Sequence, residues 1–563
     1  MRTYVLDRTA KASLYEQLYH GLRADIESGV LAAGARLPSK RALAAHLGVS
    51  VVTVEGAYDQ LVAEGYVAAR PRSGFFVQEM TAPVARNAVF GATSAAGGAR
   101  ADGSDPQKSA NGADSATLTA PRAPKTHFCA KNGDISCTML PREALQAGQA
   151  EAELFPSGQA QGEEGGVAAS LLECFADFTG TRAPEGLFPY QAWARTLRRV
   201  LADESEHTVL EAAASQGSPR LRRAIADHLR GFRGMEVHPD QIVVGSGAQS
   251  LYGLLVQLLG RNRVYGVEDP GYPRLARIYR SNDVQVAAVP VDDAGPLPAA
   301  LAETGADVLH CMPSHQFPLG TTTPVGRRGE LLAWARGGER EGGDKQEWND
   351  GRNGGGGRYL IEDDFDCEFR MTGRPVPPMQ ALDRDGRVIY ANTFTKTLGA
   401  AFRIGYVVLP WELAARFRDQ LGFYTCTVGA LEQLTLARFM ESGDYERHVS
   451  RQRAYFRRVQ NALVEALGAS EVADCLQLRN VGAGLHFLME ARGVPAADAA
   501  ACERAVTEAA AVRGVRLAPL SACRMEGAAS VPAFVMSFAS LAEERAPDAA
   551  AAIAAAVREA LSR

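Results

Sequence analysis

The chain has 563 residues, enough for several domains, and its 46% hydrophobic and 22% charged residues are typical of a folded globular protein. Lys and Arg number 60 against 65 Asp and Glu, so the net charge is −5 and no bulk positive charge indicates a nucleic-acid-binding protein. The nine cysteines are scattered, with no C-x-x-C pair, which argues against a disulfide framework or a metal site and favours the cytoplasm. No apolar run approaches the length of about 18 residues that a membrane helix needs, so we expect no membrane partner.

Composition divides the chain into three parts. Residues 1–78 show helical periodicity, whereas residues 79–170 are rich in Ala, Gly, Ser and Asp, poor in aromatic residues, and predicted to be a flexible linker. In residues 171–563, short apolar runs alternate with helical patterns, which predicts an α/β domain built on a parallel sheet. Within that domain, residues 337–357 contain nine Gly and are predicted to be a disordered surface insertion. The long linker predicts that the first part is tethered to the rest of the chain and not rigidly coupled to it.

The first part has the pattern of a winged helix-turn-helix. A stripe of Leu and Ile repeats every four positions over residues 14–26 and predicts one helix. Two shorter helices follow, the first ended by Gly48, with Ser39 and Ser50 as their N-caps. Residues 66–77 then predict a two-stranded wing. This arrangement predicts DNA binding through a recognition helix in the major groove, and a small domain for protein contacts is the alternative.

The candidate DNA-contacting residues lie on the helix-turn-helix and on the wing. Basic side chains there can hold phosphates, and a hydroxyl near the start of the second short helix can face the groove. The predicted contacts are Ser39, Lys40, Arg41, Thr53, Arg70 and Arg72.

Residues 14–77 resemble the winged helix of the GntR family. The shared residues are the L-P-S-x-R-x-L-A motif from Leu37 to Ala44, then Val49, Ser50, Thr53 and Val54, and in the wing Ser73 and Gly74. One position departs from the family pattern, because Val51 stands where the family usually carries an Arg that contacts DNA.

A second group of motifs predicts a pyridoxal 5′-phosphate (PLP) site. Lys396 follows Thr393 and precedes Arg403, between two apolar stretches. A Lys amine can form a Schiff base with PLP, and the hydroxyl and guanidinium groups can hold the phosphate. A lone Lys in a loop is more often solvated, so this prediction depends on partner motifs elsewhere in the chain.

Three other motifs supply such partners. Gly247, Ala248 and Gln249 join an apolar strand to a helix, where backbone N–H groups can hold a phosphate. Asp363 ends an apolar strand and can face a pyridine nitrogen, while Tyr272, on a Pro-Gly turn, can stack on a ring. Each motif also has an ordinary explanation: a strand-to-helix turn, an acidic strand end that binds metal or solvent, or a core tyrosine.

Together and in this order, the motifs resemble the fold-type I aminotransferase domain over about residues 171–563. A GntR winged helix fused to such a domain is the architecture of the MocR subfamily of GntR transcriptional regulators. The resemblance implies a multidomain fold, a mostly α-helical winged helix-turn-helix followed by an α/β aminotransferase-like domain. It also implies that Lys396 carries PLP, that Asp363 faces the pyridine nitrogen and that Tyr272 stacks on the ring. The remaining implied contacts are Thr393, Arg403 and the 247–249 turn for the phosphate, with either His315 or Gln316 near the ring hydroxyl.

The sequence departs from the aminotransferase-like pattern in two places. Phe365 stands where the family usually has a Tyr that hydrogen-bonds the ring oxygen of the cofactor. Phe534 and Val535 stand in the strand that usually carries an Arg for the carboxylate of an amino acid. Arg274 and Arg524 are the alternative candidates for binding an effector.

These observations predict a PLP-dependent DNA-binding transcriptional regulator that senses PLP or a PLP–amine aldimine. Its expected partners are promoter DNA and a small-molecule effector, either PLP itself or an amine or amino acid. We expect a head-to-tail homodimer in the cytoplasm. An active PLP-dependent aminotransferase with a vestigial N-terminal domain is the alternative hypothesis, and a regulator whose second domain has lost PLP is a third.

Overall fold

The computed structural model describes residues 4, 6–7, 13–70, 73–78, 174–180, 185–337, 357–371, 376–527 and 530–562. These residues belong to one compact unit, which spans 1–84 and 164–563. The predicted linker at 79–170, residues 338–356 of the predicted insertion and Arg72 lie outside the described residues, so the predictions made for them stay predictions.

The described N-terminal residues form three helices and a two-stranded antiparallel sheet, as predicted. The elements are α1 (Leu14–Glu27), α2 (Lys40–Leu47), α3 (Val51–Ala63), β1 (Val67–Arg70) and β2 (Gly74–Val77). The Ser39 hydroxyl accepts a hydrogen bond from the backbone N–H of Ala42 at 3.2 Å, and the Ser50 hydroxyl accepts one from that of Thr53 at 3.1 Å. Gly48 ends α2 with a φ of 64°, a left-handed conformation that favours Gly. Both predicted caps and the predicted helix end are therefore confirmed.

The larger part of the chain contains a mixed sheet. Its strands are β4 (Ile242–Gly245), β5 (Val264–Asp269), β6 (Gln285–Asp292), β7 (Gly295–Pro296), β8 (Val308–Cys311), β9 (Tyr359–Asp363), β10 (Val388–Thr393) and β11 (Gly405–Val408). Their spatial order is β4-β11-β10-β9-β8-β5-β6-β7, with β11 antiparallel to both neighbours and β7 antiparallel to β6. The other neighbouring strands are parallel. The prediction of a parallel sheet is thus wrong for β11 and β7, because an apolar run in the sequence does not show in which direction its strand will run relative to its neighbours.

Helices pack on both faces of this sheet. Those that precede β9 are α4 (Tyr190–Asp203), α5 (Glu206–Leu210), α6 (Pro219–Arg233), α7 (Ala248–Leu259), α8 (Pro273–Arg280), α9 (Pro298–Thr304) and α10 (Val325–Arg336). The helices that follow β9 in the chain are α11 (Met379–Leu382), α12 (Thr395–Leu398), α13 (Trp411–Leu421), α14 (Ala430–Glu441), α15 (Asp444–Gly468), α16 (Ala499–Val512) and α17 (Ala546–Leu561). Of these, α16 and α17 pack in a separate C-terminal core. Val243 and Val407 pack with residues of α7 and α13, whereas Val244 and Val408 pack with residues of α6 and α14. Successive residues therefore reach opposite faces, as strand geometry requires.

A smaller antiparallel sheet is built from the C-terminal residues. Its strands, in spatial order, are β12 (Leu476–Arg479), β13 (His486–Ala491), β16 (Ala533–Ser537) and β15 (Ala518–Pro519). A separate short pair joins β3 (Ala176–Asp177) to β14 (Val515–Arg516). Phe487 and Phe534 pack from one face of the smaller sheet against residues of α15, α16 and α17 and form a second core.

The topology of the large sheet gathers the predicted site residues. Strands β4, β5, β8, β9 and β10 run in the same direction, so their carboxyl ends lie at one edge of the sheet. Gly247, Tyr272, His315, Asp363 and Thr393 stand at or soon after these five ends. This edge is where an open α/β sheet places its ligands.

Among the residues that the structure describes, no helix is long and apolar enough to cross a membrane.

Candidate cofactor site and DNA-binding surface

Asp363 is a buried carboxylate fixed by two side chains. Its Oδ2 accepts a hydrogen bond from the Tyr252 hydroxyl at 2.5 Å and lies 3.5 Å from His310 Nε2. The His310 ring is itself held by a 2.7 Å hydrogen bond between its Nδ1 and the Tyr279 hydroxyl. Burial, reinforced by the charge of Asp363, raises the pKa of Tyr252 well above its usual range, so the phenol stays protonated and donates. The carboxylate is thereby oriented at the sheet edge, as a partner for a cationic ring nitrogen must be.

The turn after β4 forms an anion-binding cradle. Gly247, with a φ of 82°, precedes α7, whose N-terminus has no side-chain cap. A Cβ at Gly247 would lie 2.9 Å from Nη2 of Arg403, so the guanidinium reaches over this turn. Arg403 also donates to the Ser246 carbonyl at 3.2 Å. Helix N–H groups and a guanidinium in one place suit a phosphate.

Thr393 lies beside this cradle because its strand, β10, is joined to β4 by β11. It is directly opposite Gly405 in the register of β10 and β11, and a Cβ at Gly405 would lie 3.0 Å from Thr393 Cγ2. Gly405 is in turn opposite Gly245, the last residue of β4. The pairing of three strands thus brings Thr393 and the 247–249 turn to the same part of the edge.

Lys396 lies on the short helix α12, next to an unusual acidic residue. Asp366 is buried, has a φ of 59°, and its Oδ1 has no hydrogen-bond partner. Burial raises the pKa of this carboxyl, and the positive charge of Lys396 opposes the increase. A non-Gly residue with a left-handed backbone and an unsatisfied buried side-chain oxygen is a feature that functional sites often show.

The structure separates the two alternatives for the ring oxygen. Gln316 is occupied by the protein itself, because its Nε2 donates to the Pro270 carbonyl at 2.9 Å and its Oε1 accepts from the Leu319 N–H at 3.0 Å. The His315 ring stacks on Phe365 at 5.5 Å and on His486 at 4.1 Å between centroids. Gln316 is thus engaged by the backbone of neighbouring segments, whereas His315 packs against aromatic rings, and the role of either at the ring oxygen stays a prediction.

The two effector candidates lie on segments that meet at one turn. Arg274 is exposed near the start of α8, two residues after Tyr272. The segment with Arg524 is fixed to the preceding turn, because the Gly271 N–H donates to the Cys523 carbonyl at 2.9 Å and the Met525 N–H donates to the Asp269 carboxylate at 2.8 Å. The segments that carry the two arginines therefore meet at the turn that precedes Tyr272.

The predicted DNA-contacting residues differ in how they are engaged. Lys40 is paired with Glu55 at 2.8 Å and with Asp59 at 3.2 Å, whereas Arg41 is exposed beside it. The Arg70 guanidinium lies over the Phe76 ring at 4.8 Å. The Ser39 hydroxyl is engaged as the N-cap of α2, where it accepts from the Ala42 N–H, and the Thr53 hydroxyl is hydrogen-bonded to that of Ser50. Val51 and Val52, the first two residues of α3, are exposed. Sequence reasoning missed Arg36, an exposed cation whose Nε would lie 3.4 Å from a Cβ at Gly74 in the wing.

Comparison with known proteins covers both parts of the chain. The family of bacterial regulatory proteins named gntR matches residues 14–77, and the family of class I and II aminotransferases matches residues 182–326. The probable rhizopine catabolism regulatory protein MocR of Rhizobium meliloti is 32% identical over 520 residues, which is 92% of this chain and 88% of that protein. The pyridoxine biosynthesis transcriptional regulator PdxR of Corynebacterium glutamicum is 30% identical over 85% of this chain and 83% of its own. The chain belongs to the MocR subfamily of GntR transcriptional regulators.

Solved structures show the fold of the second part of this MocR-type chain. The kynurenine aminotransferase of Pyrococcus horikoshii is similar with a TM-score of 0.57 and 21% identity, over 75% of this chain and 96% of that one. LysN, the α-aminoadipate aminotransferase of Thermus thermophilus, is similar with a TM-score of 0.56 and 21% identity, over 74% of this chain and 99% of that one. The predicted combination of a winged helix with a fold-type I aminotransferase-like domain is thus confirmed, and GntR-type winged helices bind promoter DNA.

In this MocR-type regulator the winged helix packs directly on the aminotransferase-like part. The Val325 N–H at the start of α10 donates to the Glu64 carbonyl, just after α3, at 3.0 Å. Gly65 has a φ of 78°, and a Cβ there would lie 2.4 Å from Pro324 Cβ. Val325 is buried among the core residues of the winged helix. We expected the first part to be tethered to the rest of the chain and not rigidly coupled, and this contact shows that expectation to be wrong. The composition of the linker does not indicate that the backbones approach closely at Gly65.

The same contact buries the carboxylate of Glu64, which lies 4.0 Å from the guanidinium of Arg23 within the winged helix. Glu64 accepts hydrogen bonds from the Tyr19 hydroxyl at 2.6 Å and from Gln60 Nε2 at 2.5 Å. Burial raises the pKa of Glu64, and the Tyr19 hydrogen bond and the charge of Arg23 oppose the increase, with a smaller contribution from the charge of Arg328. Arg328 donates to the carbonyls of Thr323, Pro313 and Pro377 and lies 3.9 Å from Glu362, the residue before Asp363. Arg328 therefore joins the segments that carry His315 and Asp363, and its charge acts on Glu64 of the winged helix.

Proposed function

We propose that this chain is a PLP-dependent transcriptional regulator whose promoter affinity is set by PLP, or by PLP together with an amine. The observation that supports this proposal is the gathering of Lys396, the oriented Asp363 and the cradle at Gly247 and Arg403 at one sheet edge. An amine, an anionic partner for a ring nitrogen and an anion cradle are the groups that PLP requires. The name of the relative PdxR, a regulator of pyridoxine biosynthesis, agrees with a ligand of this class.

The proposed roles follow from the contacts described above. Lys396 would bind the cofactor through its amine, Asp363 would keep the pyridine nitrogen protonated, and Tyr272 would stack on the ring. The phosphate would be held by Thr393, Arg403 and the N–H groups of Gly247, Ala248 and Gln249. His315 would stand in for the phenol that Phe365 lacks. When bound, PLP supplies an aldehyde that condenses reversibly with amines, which is the chemistry of an amine sensor.

DNA binding is proposed for the surface formed by Ser39, Lys40, Arg41, Thr53, Arg70 and Arg72, with residues 1–78 as the binding domain, 79–170 as the linker and 171–563 as the PLP domain. Effector contacts are proposed for Arg274 and Arg524. Such a protein would work in the cytoplasm, where promoter DNA is found.

A head-to-tail homodimer is proposed from an exposed apolar pair beside the phosphate cradle. Phe423 and Tyr424 are 77% and 47% exposed, and their ring centroids lie 4.4 Å apart with the rings tilted by 30°. The same segment reaches Thr427, whose hydroxyl accepts a hydrogen bond from the Ser246 N–H at 3.0 Å. Large exposed aromatic side chains indicate a binding surface. A second copy that covers this pair would also close the cradle.

The contact between the two parts explains how occupancy could reach the DNA. The segment with His315 continues through Thr323, which accepts a hydrogen bond from Arg328, to Val325, whose N–H donates to the Glu64 carbonyl of the winged helix. A ligand that binds two arrangements of this segment with different affinity would therefore bias the winged helix.

The test uses the full chain and its own upstream DNA. PLP is added and the visible absorption of the bound cofactor is followed, and DNA binding is then measured with and without PLP. We expect a PLP absorption band that is lost in Lys396→Ala, and a promoter affinity that changes with PLP. A chain that binds no PLP would refute the proposal, and turnover of an amino acid with a 2-oxo acid would favour an aminotransferase instead.

A further inference from the structure

The first two residues of the helix α3 are exposed valines. Val51 and Val52 are 42% and 73% exposed, although valine is among the residues that are most often fully buried. Val54, Ala57 and Tyr58 of the same helix are fully buried in the core of the winged helix. Because successive residues of an α-helix are turned by about 100°, Val52 lies nearly opposite Val54 and points away from that core. Packing within the winged helix therefore does not account for this pair of apolar side chains.

The polar side chains next to the pair are engaged within the winged helix. The Ser50 hydroxyl caps α3 and is hydrogen-bonded to the Thr53 hydroxyl at 2.8 Å. Glu55, on the next turn, is paired with Lys40 at 2.8 Å. The first turn of α3, residues 51–54, consists of three valines and one threonine, so it has no side chain that can form a bidentate hydrogen bond with a base. This end of the helix therefore offers mainly apolar contacts.

The start of α3 is also the end of the helix that faces away from the aminotransferase-like part. The other end packs on that part through the 3.0 Å hydrogen bond between the Val325 N–H and the Glu64 carbonyl. The 13 residues of α3 separate the two ends by about 20 Å. In a helix-turn-helix, the second helix enters the major groove with its N-terminal residues against the base edges. Docking therefore leaves Val51 and Val52 at the end that a GntR-type winged helix presents to DNA.

Thymine is the base that offers an apolar group to such a surface. Its C5 methyl group projects into the major groove, whereas the major-groove edges of adenine, guanine and cytosine carry hydrogen-bond donors and acceptors. An apolar side chain placed against those polar atoms would remove their water without replacing the hydrogen bonds, which is unfavourable. Contact between a valine side chain and the thymine methyl group is favourable, because both apolar surfaces leave water.

We propose that Val51 and Val52 read thymine through its C5 methyl group, so that each promoter half-site carries thymine where the start of α3 meets the base edges. This proposal rests on DNA binding by the winged helix and is independent of PLP. The two valines set the sequence preference, whereas the basic side chains of the proposed DNA-binding surface hold phosphates of any sequence.

The test removes the methyl group from the DNA and leaves every hydrogen-bonding group in place. The upstream DNA of the protein is prepared with either thymidine or deoxyuridine, and binding of the full chain to each is measured by fluorescence anisotropy at one salt concentration. Burial of one methyl-sized group changes an affinity by about fourfold, so deoxyuridine DNA should bind at least about fourfold more weakly. Deoxyuridine placed at single positions then locates the thymines in contact.

A double variant separates direct contact from an effect of the methyl groups on DNA shape. With Val51→Ala and Val52→Ala, the shorter side chains should make the affinities for the two DNAs nearly equal. Val30→Ala is the matched control, because Val30 is 52% exposed in the same winged helix. It follows α1, which ends at Glu27, and Glu27 accepts a 2.8 Å hydrogen bond from the Tyr66 hydroxyl beyond the far end of α3. This control should keep the sensitivity of the wild-type chain to deoxyuridine.

The outcomes separate this proposal from DNA binding itself. Equal affinity of the wild-type chain for the two DNAs refutes methyl reading, and it is the result expected if the valines bind another protein. Equal sensitivity in the wild-type chain and the double variant assigns the effect to DNA shape or to other residues, and also refutes the proposal. A wild-type chain that binds neither DNA refutes DNA binding and this proposal with it. If the double variant binds too weakly for the comparison, Val52→Ala alone removes the more exposed side chain and takes its place.

Discussion

Replacing Gly65 with Ala should detach the winged helix from the aminotransferase-like domain. A Cβ at this position would lie 2.4 Å from Pro324 Cβ, whereas ordinary van der Waals contact begins at 3.4 Å, so the two backbones must separate by about 1 Å. A shift of that size lengthens the 3.0 Å hydrogen bond between the Val325 N–H and the Glu64 carbonyl to about 4 Å, beyond hydrogen-bonding distance. The amide of Val325 should then exchange with solvent.

Gly29→Ala is the matched control for this substitution. Gly29 follows α1 with a φ of 75°, close to the 78° of Gly65, but nothing lies within 4 Å of a Cβ there. Both variants carry the cost of a left-handed non-Gly residue, about 1–2 kcal/mol, so they should lower the stability of the winged helix alike. Only Gly65→Ala should lose protection at Val325.

The assay is hydrogen exchange by mass spectrometry on a peptide that contains Val325, together with promoter binding. If the contact transmits occupancy, the effect of PLP on promoter affinity, about 5- to 150-fold for typical coupling, should vanish in Gly65→Ala and persist in Gly29→Ala. Equal protection of the Val325 peptide in both variants would show that docking does not depend on close approach at Gly65.

Three further predictions concern the site, its pH dependence and the DNA surface. Tyr252→Phe removes the 2.5 Å hydrogen bond to Asp363, worth about 1.5–3 kcal/mol to a charged acceptor, and should weaken PLP binding at least tenfold in an absorption titration. Burial raises the pKa of Glu268 from 4.5 to about 8, so the folded protein keeps a proton that the unfolded chain loses. The stabilisation from this group is present below pH 4.5 and lost as the pH rises to 8, and Glu268→Gln should flatten that part of the melting-temperature profile. Arg41→Ala should weaken binding to DNA of any sequence several-fold, as measured by fluorescence anisotropy, because it removes a phosphate contact. Arg198→Ala, on α4, is the control, and an Arg41→Ala affinity equal to that of the control would show that Arg41 does not contact DNA.

Local features of the fold were predictable from the sequence because they depend on neighbouring residues. Ser39, Gly48 and Ser50 mark helix ends through their own side chains and backbone, and the structure confirms them. The positions of Asp363 and Gly247 follow from the ends of apolar strands, since parallel strands share one edge. The chemistry assigned to these residues stays a prediction.

Contacts between distant segments were not predictable in the same way. Tyr252 and His310 hold Asp363 in place, yet no motif in the sequence distinguishes either residue from the other residues of its helix or strand. Gln316 and His315 are neighbours with similar polarity, and only the fold shows that Gln316 is bound to Pro270 and Leu319. Gly65 follows the helix α3 and looks like a helix end, so its close approach to Pro324 is visible only in three dimensions.

The ion pairs of Lys40 change what a titration with added electrolyte would measure. Lys40 is already paired with Glu55 and Asp59, so its predicted contact with a DNA phosphate would require the ammonium to leave the two carboxylates, which would then take up cations from solution. Counterions released from the duplex are then partly taken up by the protein. The number of phosphate contacts deduced from such a titration would be smaller than the number of basic side chains that face the DNA.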